Sequence, residues 1–387
     1  MAAGLWLVAA ALLWRTRVPA DLRLPHLDAA RIFPAAELRR NARYARFWRW
    51  DWLAQTLAQL AALVALARAS FRPRVATFHL DRLRGAPLGA LAVLVAWLAA
   101  LPFGLAGLWW DRRYGIGREG YGAWLLGALP ALGTQLVVGA VVAAVLVTLA
   151  RRRGRRWWLA VAPLLALAGV VVVAAQPLLG GGAPLHRPAL VAQAHALERK
   201  EGAPSVRLEV EAAGERTREA NADALGLGPT STVVLWDTLL RRPFTPPQVR
   251  FVLAHELAHV ARRHLWKGAA WFALFALPGA WLLMVAAERR GGLRDPRLVP
   301  FAALVLAVLQ LAVLPLTNAI SRRYEAEADW VALGTTRDPA AARSLFVNFA
   351  RVNLTQPAPP EWVHVLLGDH PTLLERIEQA EAWSARR

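Results

Sequence analysis

The sequence contains no cysteine. That excludes a thiol nucleophile, an iron–sulfur cluster, a cysteine-ligated zinc site and any disulfide. Histidine and carboxylates remain as the strong ligands for a metal. Charged residues are scarce as well, at 19% of 387 residues against 56% apolar ones. One globular core cannot absorb that much apolar surface, whereas a lipid-facing surface can. Acidic residues are the scarcer charge: 27 Asp+Glu stand against 46 Lys+Arg, for a net charge of +19. A basic excess can signal nucleic acid. Here the arginines flank apolar runs, as in Arg151-Arg152-Arg153-Gly154-Arg155-Arg156. The expected partner is therefore a lipid bilayer with anionic headgroups, and not nucleic acid.

Seven apolar stretches follow one another: Met1–Trp14, Trp52–Ala67, Ala86–Trp110, Trp124–Ala150, Trp157–Leu179, Gly268–Ala287 and Leu298–Ile320. A spanning helix needs about 20 apolar residues. The last five stretches reach that length and the first two are short. The first reads as an uncleaved anchor helix, because no basic segment precedes Leu5 and no small-x-small cleavage site follows. Tryptophans such as Trp52, Trp109, Trp110, Trp157, Trp158 and Trp271 sit near the ends of the runs, where indoles meet headgroups. The chain thus divides into helices 1–5 over residues 1–179, a water-soluble part over 180–267, two further spans over 268–320 and a C-terminal part over 321–387. Ser205–Ala212 alternates apolar and polar residues and reads as a strand, as does Ser231–Leu235. Gly180–Pro184 reads as a flexible entry. The expected fold class is mainly α, a polytopic membrane protein with about seven spans and a small β-sheet.

The soluble part carries His255-Glu256-Leu257-Ala258-His259, an H-E-x-x-H motif. On a helix, residues four apart share a face. Both imidazoles can then hold one zinc ion while Glu256 takes a proton from water. A helix is expected: Thr245 can cap it, Pro246 suits its first position, and Gln248 has capping-box spacing. No Pro or Gly interrupts Gln248 to His264. His264, five residues past His259, reads as a helix-end residue and not a ligand. A catalytic zinc takes three protein ligands. The third is sought in Ser321–Asp329, where Glu325 and Asp329 lie four apart. Glu325 can bind metal while Asp329 accepts the N–H of a zinc histidine and orients its ring. The alternative for this segment is a solvated helix laced with Arg–Glu pairs, a role that suits Glu327.

These residues together resemble the type I CAAX prenyl protease family and its bacterial membrane-metalloprotease relatives. Ser321-Arg322-x-x-Glu325-x-x-Ala328-Asp329 is similar to that family's S-R-x-x-E-x-x-A-D segment. Asn221-Ala222 and Val233–Leu240 look like its N-A and V-x-L-x-D-T-L-L region. Asp369–Ile377 looks like its H-P-x-x-x-x-R-I ending, and Tyr114-Gly115-Ile116 like its Y-G-[FI] loop. Ala258 departs from the usual Gly, and Gln248 stands where a Glu is common.

The resemblance implies a helical barrel around a water-filled chamber, joined to a zincin-like metalloprotease domain. It makes His255, His259 and Glu325 the ligands of one Zn2+ and Glu256 the base. Asp329 and Arg322 become supporting residues, while His370 and Arg376 line the site and help hold substrate or oxyanion. Asn221 and Ala222 then lie on an edge strand that pairs with a peptide. The implied substrates are peptides or proteins: a prenylated CAAX terminus, or misassembled membrane protein. Two other readings are a sensor–transducer protease that cleaves a repressor and an inactive membrane scaffold. Only about 67 residues follow Ile320, which disfavours an appended sensor domain. Basic loops occur at both membrane faces, so charge gives no orientation. Resemblance puts the zinc on the cytoplasmic side, and the Arg- and Ala-rich composition suggests a bacterial inner membrane.

Overall fold

The computed structural model describes residues 2–71, 83, 85–180 and 182–386. Its helices in the first half are α1 (Ala2–Leu13), α2 (Ala29–Ile32), α3 (Ala35–Ala69), α4 (Ala86–Tyr114), α5 (Tyr121–Arg153) and α6 (Trp158–Leu179). Next come strand β1 (Ala183–Pro184), helix α7 (Pro188–Glu201), and strands β2 (Arg207–Glu211), β3 (Ala222–Leu225) and β4 (Thr232–Trp236). The chain continues through α8 (Pro246–Ala261), α9 (His264–Glu288), α10 (Val299–Thr336), α11 (Pro339–Val352), α12 (Glu361–Leu367) and α13 (Leu373–Ala385).

Six helices among the described residues are long and apolar enough to cross a membrane: α3, α4, α5, α6, α9 and α10. Each packs on the next, α3 on α4, α4 on α5, α5 on α6, α6 on α9 and α9 on α10, and α10 returns to α3. The spans therefore close into a ring. The expected first span is the short member. At 12 residues α1 covers roughly 18 Å, less than a hydrocarbon core. It lies against α9, where the Trp6 indole N–H donates to the Leu274 carbonyl at 3.0 Å. Prolines 102, 130, 163, 177, 278 and 315 all lie inside spanning helices. Membrane helices tolerate such breaks because neighbours re-satisfy the freed carbonyls. Outer faces carry exposed aliphatics such as Val137, Val141, Leu167 and Val171, which suit lipid and not water. Helices α4 and α5 touch at Gly89 and Gly139. A Cβ on Gly89 would stand 2.3 Å from the Gly139 carbonyl oxygen, so only glycine permits that approach.

Residues 183–236 hold a four-stranded sheet in the order β1-β2-β4-β3. Strands β2 and β4 run parallel, and the outer two pair antiparallel to them. Both expected strands are present: β2 is shorter by two residues at its start and one at its end, and β4 is shifted by one residue toward the C-terminus. The expected flexible entry is partly built into the sheet, since Ala183 and Pro184 pair with Val210 and Glu209. Helix α8 packs beside the sheet and is almost wholly buried. Leu235, Leu239, Phe251, Leu253, Leu257, Phe346 and Ile377 are all essentially inaccessible in one shared core. Each such burial contributes about 1.5–3 kcal/mol, enough to hold the helix rigidly.

A buried carboxyl on α7 works against this stability. Both oxygens of Glu201 are buried without a hydrogen-bond partner among the described residues, although the Thr335 hydroxyl is near. Burial pushes its pKa up from 4.5 to about 8. The group is neutral in the folded chain at pH 7 and ionised once unfolded. Its contribution is intact below about pH 4.5 and is lost as pH rises through 8. Glu201→Gln is expected to stabilise the protein at pH 9 by a few kcal/mol, with the gain vanishing near pH 4.5. Thermal melts in detergent at both pH values check this; an equal gain at both would refute it.

Candidate metal centre

Local sequence explains how α8 is set. Pro246 opens the helix, and the Gln248 side chain accepts the Thr245 N–H at 3.0 Å. The helix runs to Ala261 and there stops, short of the His264 expected from the sequence. Arg263 adopts a left-handed conformation, φ 57°, and α9 restarts immediately. For a non-glycine residue this costs about 1–2 kcal/mol. The reversal swings His264 back onto α8.

His255 and His259 project from α8 toward Glu325 on α10. The His255 Nε2 lies 3.1 Å from Glu325 Oε2, and the His259 Nε2 lies 3.4 Å from Glu325 Oε1. The two Nε2 atoms are 3.2 Å apart. One atom from each of His255, His259 and Glu325 lies within 4.8 Å of the others. Two imidazoles and one carboxylate form a donor set that suits a catalytic divalent ion. The charge balance agrees. Burial alone would lower His255, but bonds to Asp329 and Glu325 outweigh it and push it up to about 10. The carboxylates around His255 thus favour a positive charge there, whether a proton or a divalent ion. Metal loading therefore competes with protons and weakens as pH falls.

Asp329 is 1% exposed. Its Oδ1 lies 2.9 Å from His255 Nδ1, which leaves Nε2 free to face the ligand cluster. Arg376, also buried, grips Asp329 from the far side with Nε and Nη2, both at 2.7 Å. Its guanidinium stacks over Phe346 at 4.3 Å. Arg322 touches no ligand. It donates to the His364 and Gly368 carbonyls and so braces the turn that presents His370. His370 is half exposed and sets Nε2 3.2 Å from Glu325 Oε2, with Nδ1 2.9 Å from Asp369. Glu256 is 7% exposed beside His255, His259 and Glu325, and burial pushes it up to about 7. Asn221 precedes β3, and Ala222 begins it. This strand pairs with β4 on one side, ends the sheet on the other and packs on α8.

Two residues were missed by sequence reasoning. Glu327, read as solvated, is 1% exposed. Its carboxylate meets His264 Nε2 at 3.0 Å, Lys267 at 3.5 Å and the Arg17 N–H at 2.9 Å. His264 in turn places Nδ1 3.1 Å from His259 Nδ1. This chain aligns one tautomer: His259 Nδ1–H donates to His264, and His264 Nε2–H donates to Glu327. Each zinc-motif histidine thus has its own carboxylate-backed support. The only signal was the i+5 histidine, which became informative once Arg263 reversed the chain. His264→Ala is expected to weaken metal retention about 10–100-fold, measured by chelator competition. Unchanged retention would refute this role.

Residues 184–384, just over half of the chain, match the sequence pattern of Peptidase family M48. The chain belongs to that family. Three relatives accompany this M48 member. It is 32% identical over 177 residues to "Uncharacterized metalloprotease YhfN" of Bacillus subtilis, covering 43% of this chain and 41% of that one. It is 24% identical over 217 residues to "CAAX prenyl protease 1 homolog" of Oryza sativa subsp. japonica, covering 53% and 50%. It is 28% identical over 194 residues to "Protease HtpX homolog" of Kineococcus radiotolerans, covering 44% and 66%. The matches thus span between 41% and 66% of these relatives' lengths. The crystal structure of S. mikatae Ste24p superposes with a TM-score of 0.71, over 98% of this chain and 97% of that one, at 16% identity. The fold of that structure is therefore shared over nearly the whole chain.

Proposed function

We propose that this chain is an integral-membrane zinc metalloendopeptidase. The carrying observation is the convergence of His255, His259 and Glu325, with buried Glu256 beside them. The three converging side chains would hold Zn2+. When bound, zinc would polarise a scissile carbonyl, acidify a water and favour the ionised form of Glu256. Glu256 takes the proton of the attacking water and passes it to the leaving amine. Half-exposed His370 stands on the open side and steadies the oxygen on which negative charge develops. Arg376 serves by holding Asp329, its guanidinium being already committed there. The peptide adds as a further strand along the free edge of β3, beside Asn221 and Ala222.

An apolar cavity of about 360 Å³ reaches His259 and Glu325, walled by Trp271, Phe272, Phe275 and Ile320. It supports substrates with bulky apolar side chains beside the cut, as in misassembled membrane proteins. A prenylated CAAX terminus is the second candidate. The zinc faces the cytoplasm of a bacterial cell in this reading. The test is zinc-loaded protein incubated with a peptide library and with a prenylated CAAX peptide. Cleavage next to apolar residues, lost on chelation and independent of the prenyl group, is expected. Absence of cleavage in both, with zinc bound, would sink the proposal.

A further inference from the structure

A second pocket, away from the metal, is ringed by arginine. About 350 Å³ in volume, it is lined by Arg40, Arg118, Arg218, Arg241, Arg242 and Arg351, with Ile116, Phe244 and Leu354 among its apolar walls. None of the described residues that line it is acidic. Two lining cations are paired at the rim, Arg351 with Glu37 and Arg241 with Asp237. Arg40 and Arg118 turn toward neutral carbonyls, those of Tyr114 and Gly214. Several guanidiniums therefore crowd one small space without matching carboxylates. Such a cluster repels itself unless an anion occupies it. The planar donor fork of arginine fits phosphate oxygens in particular.

The pocket's height identifies the anion's source. It abuts the C-terminal end of α4, where the apolar run ends at Trp109 and Trp110 and charged Asp111, Arg112 and Arg113 follow. Around that end Tyr44, Phe47, Trp48, Trp109, Trp110 and Tyr114 pack ring against ring, with Phe47 and Trp110 stacked at 4.6 Å. Such an aromatic belt marks the headgroup level of a bilayer. An arginine pocket at that level meets lipid phosphates before any other anion.

We infer that this pocket binds the phosphate of an anionic phospholipid headgroup. The site also touches the soluble part. Its wall includes the Tyr114–Arg118 loop, and Arg118 N–H donates to the Arg216 carbonyl while Arg218 N–H donates to that of Ile116. A lipid held here therefore pins the segment that leads into Asn221 and β3. The inference does not depend on the proposed peptidase activity.

The test uses the full-length, zinc-loaded protein in detergent, with lipid retention read by native mass spectrometry. Probes are phosphatidylglycerol, phosphatidylcholine and inorganic phosphate. Arg218→Gln with Arg242→Gln removes two cations from the pocket and none from the metal centre. Wild type is expected to keep one phosphatidylglycerol in preference to phosphatidylcholine. The double variant is expected to lose that lipid with about tenfold or greater weakening, at unchanged zinc content. Arg152→Gln with Arg155→Gln, on the α5–α6 turn, should keep it. Equal retention by wild type and pocket variant, or equal retention of both lipids, would overturn the assignment. Displacement of the lipid by millimolar inorganic phosphate would overturn its source.

Discussion

Replacing Glu256 with glutamine is expected to leave the metal bound and to cut peptide hydrolysis by about 10²–10⁴-fold. The side chain sits one position after a metal-ligand candidate on a rigid, buried helix, so an isosteric amide keeps the shape. Burial already drives Glu256 toward its neutral form, up to about 7. A neutral amide therefore adds no desolvation cost. What it removes is the capacity to accept a proton. Metal analysis should return an unchanged metal-to-protein ratio, while turnover collapses. Equal turnover in the variant would contradict the base assignment. Parallel loss of metal and turnover would instead give Glu256 a part in building the site.

Arg376→Ala should be the most destabilising single change near the site, by about 3–5 kcal/mol. Asp329 is 1% exposed, and Arg376 supplies two of its short hydrogen bonds. Removing the guanidinium leaves a buried carboxylate with His255 as its remaining bonded partner among the described residues. It also empties the space over Phe346. Apparent melting temperature in detergent measures the loss. The double variant Asp329→Ala with Arg376→Ala should lose less stability than Arg376→Ala alone, because no uncompensated charge remains. It should nevertheless retain metal poorly, since His255 has lost its orienting carboxylate. A single variant that melts with wild type would show that the pair contributes nothing.

Much of the site lay open to reading because its spacing is helical. His255 and His259 are four apart on α8, and Glu325 and Asp329 are four apart on α10, so periodicity alone aligned each pair. Five of the six spans could be read from apolar length; the sixth, α3, extends the short Trp52–Ala67 run with a polar first half. The supporting contacts were hidden for a different reason. Arg376 reaches Asp329 across 47 positions, and Glu327 reaches His264 across 63, with no local pattern linking them. The left-handed Arg263 is invisible too, because arginine carries no turn signal of its own. Arg322 belonged to a recognised segment, but its carbonyl partners come from main chain, which side-chain patterns do not encode.

One continuous helix joins lipid to chemistry. Helix α10 has 38 residues and is roughly 57 Å long, almost twice the thickness of a hydrocarbon core. Its first part is membrane span, and Glu325 lies about 39 Å from the start of the same rod. A bilayer thinner or thicker than the apolar segment changes the rod's tilt. A tilt of about 3° carries Glu325 sideways by roughly 2 Å. His255 and His259 are drawn along, because Ala332 and Leu333 of α10 share one core with Leu253 and Leu257 of α8. Bilayer thickness thus acts on how α10 and α8 are set together, and the placement of the site becomes a property of the membrane as well as of the protein.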